Sequence, residues 1–258
     1  MVNGVRKPTA TAHERLTKML MRNAAPLLAA MLLVAPAWAG QFSVTPVRIF
    51  MATKDRAVAV TITNEGDEQL VMQADLYLWK QKPDGQDDLT LTEDMFLSPP
   101  IIKLAPRARQ VVRLARMKAA STNEQLTYRM IVREVPEAKP AKPDLQLQIA
   151  LAFSIPVFIS PPGVKAKLDC AVERVAADTV KTLCQNSGNA YVYPVALQLT
   201  SSAGENIASR DSGGYILSGM KRSFDIKRDG ATIPGGNAKL VATLVDGTKQ
   251  TFDVAIPQ

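Results

Sequence analysis

The chain has 258 residues and a formal net charge of +7. Five of the 31 Lys and Arg residues and one of the 24 Asp and Glu residues lie in residues 1–39, which leaves 26 against 23, a charge of +3, for the other 219 residues. So small an excess of positive charge argues against a nucleic-acid partner, which would need a concentrated basic patch. A length of 219 residues suits two domains of ordinary size.

The first 39 residues have the pattern of a secretory signal peptide. A basic segment precedes a short apolar run at 24–34, and Ala-Trp-Ala at 37–39 offers a cleavage site before Gly40. The apolar run is too short to cross a bilayer as a helix. We predict an exported mature chain without a membrane span. The candidate starts of translation are Met1, Met19 and Met21.

The histidine and cysteine content limits the chemistry. The single histidine, His13, lies in the signal segment, so nucleophiles that rely on His and His-based metal sites are excluded from the mature chain. We predict no enzymatic activity, no metal and no cofactor. Cys170 and Cys184 lie seven residues on either side of Ala177, so a hairpin that turns there would place them opposite each other. In an exported protein this favours a disulfide, with two buried thiols as the alternative.

In the first half of the mature chain, the alternation of apolar and polar residues predicts strands separated by turn signals, and no helical periodicity occurs in this sequence. The predicted strands are 42–50, 57–63, 70–80, 97–104, 110–116, 127–135 and 145–159. Pro99-Pro100 breaks the fourth and restricts it to a sheet edge, whereas Asp87-Asp88 falls in a predicted turn-rich loop. Seven such strands are typical of an immunoglobulin-like (Ig-like) sandwich.

The second half repeats this pattern with shorter strands. They are predicted at 167–174, 179–185, 191–200, 214–218, 223–227, 239–245 and 250–256. We therefore predict an all-β protein with two Ig-like β-sandwich domains. The predicted boundaries are 1–39 for the signal peptide, 40–160 for the first domain, 161–166 for a stiff linker and 167–258 for the second domain.

The strand predicted at 145–159 follows a polar loop rich in Pro and Lys and alternates strongly. Its apolar row is Leu145, Leu147, Ile149 and Leu151. Such a strand is either part of a core or is offered to a partner, because an extended chain can add to a sheet edge. Arg129 interrupts an apolar run just before the loop. A charge there is either paired within a cleft or exposed on the polar side of its strand.

Several segments, in this order and spacing, resemble the PapD-like periplasmic chaperones of chaperone–usher pilus assembly. They are SVTPVRIF, VTITNEGDEQ, LYLWKQ, SPPIIKLAP, QVVRLAR, YRMIVREVP, LQLQIALAFSIPVFISPP and NSGNAYVYPVALQL, and the resemblance extends over 41–258. It implies two Ig-like domains in a boomerang, a Gram-negative periplasmic location, and pilin-type subunits and an outer-membrane usher as partners. It also implies that the row Leu145, Leu147, Ile149 and Leu151 completes a subunit that lacks its last strand.

The resemblance is incomplete at one point. The best-known branch of that family anchors the C-terminal carboxylate of the subunit with an Arg on the first strand and a Lys on the donor strand. Arg48 matches the first, but Pro156 stands at the lysine position. This departure resembles the branch with archaic pili and spore-coat-U-type subunits. We predict that Arg129, together with Arg116, completes the anchor.

Pro156 also has a physical effect, because proline has no backbone N–H. We expect main-chain pairing to stop or bulge near it, so that pairing with a partner lies within 145–153. The alternative function is an Ig-like structural or adhesive surface protein, and an exported hydrolase is less favoured because no histidine remains. An exposed apolar strand further predicts a self-capping dimer of the free protein.

Overall fold

The computed structural model describes residues 42–119, 121, 123–136, 150–211 and 213–258. These residues form seventeen strands, and no helix occurs among them. The all-β class predicted from the alternating sequence is therefore confirmed. The predicted signal peptide and most of the apolar row at 145–151 lie outside the described residues.

Ten strands form the first sandwich. They are β1 (Phe42–Thr45), β2 (Ile49–Ala52), β3 (Ala57–Asn64), β4 (Leu70–Gln81), β5 (Asp87–Leu91), β6 (Met95–Ser98), β7 (Ile101–Leu104), β8 (Arg109–Arg116), β9 (Leu126–Glu134) and β10 (Ala152–Ser160). One sheet has the order β1-β3-β8-β6. The other has the order β2-β10-β9-β4-β5, with β7 also paired to β4.

Strand alternation explains the core between these two sheets. Every second side chain of β3, β4, β8 and β9 is buried, and the intervening ones face outward. The fully buried members on these strands include Val60, Ile62, Met72, Val112, Leu114, Met130 and Val132. Burying each such side chain contributes about 1.5–3 kcal/mol. This layer fixes which face of each strand is left for other contacts.

Three strand predictions in this half are corrected. The predicted strand 42–50 is two strands, β1 and β2, which belong to different sheets. Pro46 lies between them and cannot donate to a ladder, so the chain leaves one sheet and joins the other. The segment 97–104 likewise divides at Pro99-Pro100 into β6 and β7. Asp87-Asp88, predicted in a loop, begins β5.

Seven strands form the second sandwich. They are β11 (Leu168–Ala176), β12 (Thr179–Asn186), β13 (Pro194–Ser201), β14 (Asn206–Arg210), β15 (Lys221–Lys227), β16 (Gly236–Leu244) and β17 (Lys249–Ile256). One sheet has the order β11-β12-β15 and the other β14-β13-β16-β17. The strand predicted at 214–218 is wrong: Ile216 makes only an isolated bridge with Val192. The strand β14 was not predicted.

The predicted disulfide is present. Cys170 and Cys184 face each other in the antiparallel register of β11 and β12, with their Cα atoms 4.1 Å apart, and their sulfur atoms are bonded. The hairpin turns near Ala177, as the symmetric spacing predicted. The bond therefore joins two neighbouring strands of the second sandwich.

Two glutamine side chains join the sandwiches within the compact unit formed by residues 40–258. The Gln81 amide donates to the carbonyl of Tyr215 (2.8 Å) and accepts from the N–H of Leu217 (2.9 Å). The side-chain oxygen of Gln125, Oε1, accepts from the N–H of Tyr191 (3.0 Å). Side chains from both sandwiches pack in one buried cluster around these bonds: Trp79, Phe158 and Leu217, with Tyr191, Tyr215 and Met220 against them.

Candidate functional site

Arg129 lies on the outer face of the sheet that contains β9, away from the core of its own sandwich. Its neighbours Tyr128 and Met130 point inward and are buried, so alternation turns Arg129 outward. Even so, its side chain is only 12% exposed. The sequence allowed either a paired or a solvent-exposed charge at this position. The structure shows that the charge is covered and paired.

An aromatic corner covers the guanidinium of Arg129. Its central carbon lies 3.7 Å from the ring centre of Trp79 and 5.2 Å from that of Tyr215. The two rings meet edge to face, 5.1 Å apart. Trp79 belongs to the first sandwich and Tyr215 to the second, so both contribute to the site. Stacking of a cation on such rings is favourable, most of all where water is excluded.

The Asp87 carboxylate pairs with Arg129 at this corner. Arg129 Nη2 lies 3.4 Å from Asp87 Oδ2, and Arg129 Nη1 lies 3.5 Å from the carbonyl oxygen of Ser154. Gln81 Nε2 donates to the other carboxylate oxygen, Asp87 Oδ1, at 3.2 Å. Burial lowers the pKa of Arg129, and the negative charge of Asp87 opposes that shift. The guanidinium thus has a carboxylate partner, but at long distance.

Arg48 lies on the same outer face. It immediately precedes Ile49, which pairs with Val157 in the parallel ladder of β2 and β10, so Arg48 stands beside Pro156. Pro156 in turn pairs with Arg129 in the ladder of β10 and β9. Pro156 therefore separates the two arginines in one row across the sheet.

The surroundings of Arg48 agree with this position at the junction of the sandwiches. Burial raises the pKa of Tyr191 and of Tyr215, and the positive charge of Arg48 acts in the opposite direction at both hydroxyls. The structure thus brings Arg48 and Arg129, two of the three predicted anchor residues, to one aromatic region.

Arg116 lies elsewhere. It ends β8 in the opposite sheet, and its Nη2 donates to the carbonyl of Thr53 at 2.8 Å. Its charge acts on the inward-facing Tyr128, whose pKa is raised to about 12 by burial and by the charge and hydrogen bond of Asp94, while Arg116 opposes the shift. The structure therefore does not bring Arg116 to the outer-face row that holds Arg129.

Strand β10 has one open edge. On one side it pairs with β9 over Ala152–Ile159, whereas on the other it pairs with β2 only over Val157–Ser160. Among the described residues, the edge at 152–156 has no strand beside it. Ala152, Phe153 and Ser154 are exposed, and the following residues are buried. Main-chain groups at such an edge can pair with another extended chain.

The direction of these groups follows from one hydrogen bond. Glu134 N–H donates to the carbonyl of Leu151 at 2.9 Å, on the line that continues the ladder of β10 and β9. In an antiparallel pair, bonded and non-bonded positions alternate. Even-numbered residues of β10 therefore direct their N–H and C=O groups away from β9. Ala152 and Ser154 present these groups at the open edge.

The prediction that main-chain pairing stops or bulges near Pro156 is wrong for the ladder of β10 with β9. The register of β10 with β9 continues through Pro156 without a shift. As an even-numbered residue, Pro156 directs its nitrogen away from β9, so no β9 bond is lost. The missing donor lies instead on the other edge, at the point where pairing with β2 begins.

The predicted donor row is described only at its end. Leu145, Leu147 and Ile149 lie outside the described residues. Leu151 is half-buried against the core of the first sandwich and precedes β10. Phe153 is 38% exposed, and its ring meets Phe42 edge to face at 4.7 Å.

Sequence reasoning missed Trp79, Asp87 and Tyr215, which contact Arg129, and Gln81, which holds Asp87. One signal was available, because LYLWKQ places Tyr77 and Trp79 on the face of β4 opposite Leu76. Two large aromatic residues on the face that points away from the core indicate that the outer face is covered too. Which residues cover it depends on how the sandwiches pack, and no local pattern encodes that packing.

These features define an all-β protein of two Ig-like sandwiches in which, among the described residues, a strand of the first is open at one edge beside the covered guanidinium of Arg129. Residues 41–165 match the family described as "Pili and flagellar-assembly chaperone, PapD N-terminal domain". The first sandwich therefore belongs to this family, and the resemblance to PapD-like chaperones is confirmed. The family consists of assembly chaperones, which are not enzymes.

Three solved structures illustrate the likeness of the fold. The CsuC–CsuE chaperone–tip adhesion subunit complex from archaic Csu pili of Acinetobacter baumannii aligns with a TM-score of 0.62 and 19% identity, over 84% of this chain and 100% of that chain. The E. coli chaperone DraB aligns with a TM-score of 0.54 and 16% identity, over 84% of this chain and 97% of that chain. The Salmonella enterica SafA pilin–SafB chaperone complex aligns with a TM-score of 0.55 and 13% identity, over 85% of this chain and 98% of that chain.

Comparison with curated protein sequences gives no match. Within the described residues, no helix has the length and apolar character needed to cross a membrane.

Proposed function

We propose that this protein is a periplasmic chaperone that binds pilin-type subunits, caps them by donating a strand and delivers them to an outer-membrane usher. The open edge of β10, next to the covered guanidinium of Arg129, is the observation that carries the proposal. The family match of the first sandwich supports the chaperone role. Two of the solved structures with this fold are chaperones in complex with a pilin or a tip adhesion subunit.

Strand donation requires main-chain groups for affinity and an alternating row of side chains for specificity. Ala152 and Ser154 offer the main-chain groups. In the apolar row Leu145, Leu147, Ile149 and Leu151, the first three would fill the groove of a subunit that lacks a strand, and Leu151, already half-buried against the first sandwich, would add its exposed part at the end of the row. A chaperone of this kind needs no nucleotide, because binding to the folded form of the subunit shifts the folding equilibrium by mass action.

The carboxylate anchor is proposed at Arg129, with Arg48 across Pro156. Arg129 and Arg48 flank Pro156, which is the last residue of the open edge of β10. A chain added along this edge up to Pro156 would therefore bring its terminus to both arginines. Charge-assisted hydrogen bonds from Arg to a carboxylate are strong and directional. Arg116, which lies in the other sheet, is the third candidate and should contribute less.

The chain organisation and location belong to the same proposal. Residues 1–39 would direct export and be removed, 40–160 would carry the donor strand, 161–166 would link the domains and 167–258 would form the second. The substitution of Pro156 for the anchor lysine and the likeness to CsuC, a chaperone of archaic pili, support the archaic branch. The free protein would cap its apolar strand as a dimer.

Co-expression with a pilin-type subunit encoded beside this gene tests the donor role. Leu147→Glu combined with Ile149→Glu should abolish recovery of the subunit with the affinity-tagged chaperone, because two charges cannot enter an apolar groove. Gln146→Glu combined with Gln148→Glu adds the same charge to the alternate row and should retain the complex. Equal recovery with both double variants would contradict strand donation and favour an adhesive or structural role.

The anchor has a separate test. Arg129→Ala should reduce recovery of the subunit more than Arg116→Ala does. The subunit extended by a few residues at its C terminus should lose this difference, because its carboxylate no longer ends at the anchor. An Arg129→Ala variant that retains the native subunit as well as the wild type does would exclude Arg129 from the anchor.

A further inference from the structure

The ion pair of Arg129 differs from an ordinary arginine–aspartate pair of this protein. Arg107 donates to Asp67 through Nε at 3.0 Å and Nη2 at 2.9 Å, and its side chain is 60% exposed. Arg129 is only 12% exposed, yet its contact with Asp87 is 3.4 Å long. The more buried guanidinium thus has the longer hydrogen bond. A buried charge gains most from close, well-oriented partners, so the site of Arg129 is incompletely satisfied.

The side chain of Asp87 is held by long hydrogen bonds on an exposed strand, so it can rotate away from Arg129. It starts β5, a strand whose five residues are all exposed, and its own side chain is 36% exposed. Its second oxygen accepts one bond from Gln81, at 3.2 Å. The same Gln81 nitrogen also donates to the carbonyl of Tyr215 at 2.8 Å, and this bond does not depend on Asp87. Rotation of Asp87 into water would therefore leave the junction of the two sandwiches intact.

We propose that Asp87 is an internal substitute for the carboxylate of a bound partner. In the free protein it occupies the hydrogen-bonding edge of Arg129, and the terminal carboxylate of a subunit displaces it. This inference rests on the proposed function, since it concerns the regulation of the same site. One carboxylate replaces another, so the charge beside the guanidinium is unchanged by the exchange.

This exchange would make the site selective. A neutral group, such as an amide or an internal peptide segment, cannot compete with Asp87 for a guanidinium. A carboxylate that approaches along the open edge of β10 can make shorter bonds than the 3.4 Å contact of Asp87 and replaces it. Asp87 thus sets a threshold that a carboxylate passes and a neutral group does not, which is specificity through an unfavourable alternative.

Trp79 provides a direct readout, because it stacks on Arg129 and the other tryptophan, Trp38, lies within residues 1–39. The fluorescence of the mature protein is titrated with sodium acetate as the carboxylate probe, with sodium chloride replaced to keep ionic strength constant. Asp87→Asn should lower the acetate midpoint by about fivefold or more, a typical size for coupling between two ligands. Arg129→Gln should abolish the response.

Asp88→Asn is the matched control. It removes the same charge one residue later, on the opposite face of β5, and should titrate like the wild type. The proposal is overturned if Asp87→Asn has the same midpoint as the wild type. A higher midpoint would also overturn it, since Asp87 would then position Arg129 rather than compete for it.

The acetate titration does not depend on the subunit, so the two proposals fail separately. If the donor-row variants retain the subunit, strand donation is wrong, while the acetate midpoints still decide the role of Asp87. With the purified subunit and no acetate present, Asp87→Asn should lower the dissociation constant of the complex about fivefold relative to the wild type. A dissociation constant equal to or above that of the wild type would reject displacement.

Discussion

The two halves of strand β10 differ although they are continuous. From Val157 onward the strand lies between β9 and β2 and is buried on both faces, because the second sandwich covers its outer side. From Ala152 to Ser154 it is exposed and, within the part of the chain that the structure describes, pairs with β9 alone. One half thus fixes the strand in the fold and the other displays it. Pro156 marks the change, since its missing N–H falls on the edge where β2 begins.

The largest expected effect is on the buried half. Phe158 is fully buried and stacks on Tyr191 at 4.0 Å, so Phe158→Ala should lower the free energy of unfolding by about 3–5 kcal/mol. Phe153→Ala, in the exposed half, should cost about 1 kcal/mol, because its side chain is already 38% exposed and its ring packs against Phe42. Urea denaturation of both variants checks the difference. Equal losses would mean that the halves do not differ in packing.

A second prediction separates this strand from the disulfide of the second sandwich. Replacing Cys170 and Cys184 with Ala should lower stability by about 3 kcal/mol, because the cross-link limits the unfolded chain. The variant should still bind the subunit at temperatures where it stays folded, since the displayed half of β10 lies in the other sandwich. Denaturation combined with subunit recovery tests both parts. Loss of binding by a folded variant would show that the displayed strand depends on the disulfide.

Titration of Tyr128, which pairs with Val157 in the buried half of β10, should change the free energy of unfolding with pH by a smaller amount. Its pKa is raised to about 12 in the folded protein from an ordinary 10.0, so the folded state keeps a proton that the unfolded state loses in this range. The resulting stability is complete below pH 10 and declines as pH rises toward 12, by on the order of 2 kcal/mol.

Denaturation at several pH values between 9 and 12 measures this decline. Tyr128→Phe should flatten it, because the phenylalanine has no proton to lose. Tyr191 and Tyr215, whose pKa values are also raised by burial, remain in the variant and account for any residual slope. An unchanged slope would show that Tyr128 does not titrate as its surroundings require.

The smallest effect is expected at Pro156 itself. Pro156→Ala should destabilise the protein by about 0.4–1 kcal/mol, mainly by giving the unfolded chain more freedom. The new N–H points away from β9 and adds no bond to that ladder. A gain in stability in urea denaturation would contradict this assignment, because it would indicate that the nitrogen faces β9.

Much of the fold could be predicted from alternation alone. The strands β3, β4, β8 and β9 match the predicted segments to within two residues, because one face of each is buried and the period of two is visible. Strand β5 was missed because it begins with two acidic residues and its apolar alternation is limited to Leu89 and Leu91, which is too short to distinguish from a loop. The cysteine pairing was predictable because a hairpin fixes which residues face each other.

The candidate site was less accessible to sequence reasoning. Arg129 could be singled out as a charge within an apolar run, but Asp87 and Tyr215 reach it only through the packing of hairpins and sandwiches. The effect of Pro156 depended on the hydrogen-bond phase of β10, which the bond from Glu134 to Leu151 reveals. A one-residue change of phase would have reversed the outcome, and sequence alternation does not report that phase.

The shared aromatic cluster has a consequence for the order in which the chain matures. Trp79 and Phe158 belong to the first sandwich, but Tyr191 and Tyr215, which cover them, are synthesised later. Until those residues arrive, the N-terminal part presents a bare aromatic surface next to its open strand. We therefore expect the first sandwich to be more prone to aggregation before the second sandwich forms, because the second sandwich covers the aromatic surface of its neighbour.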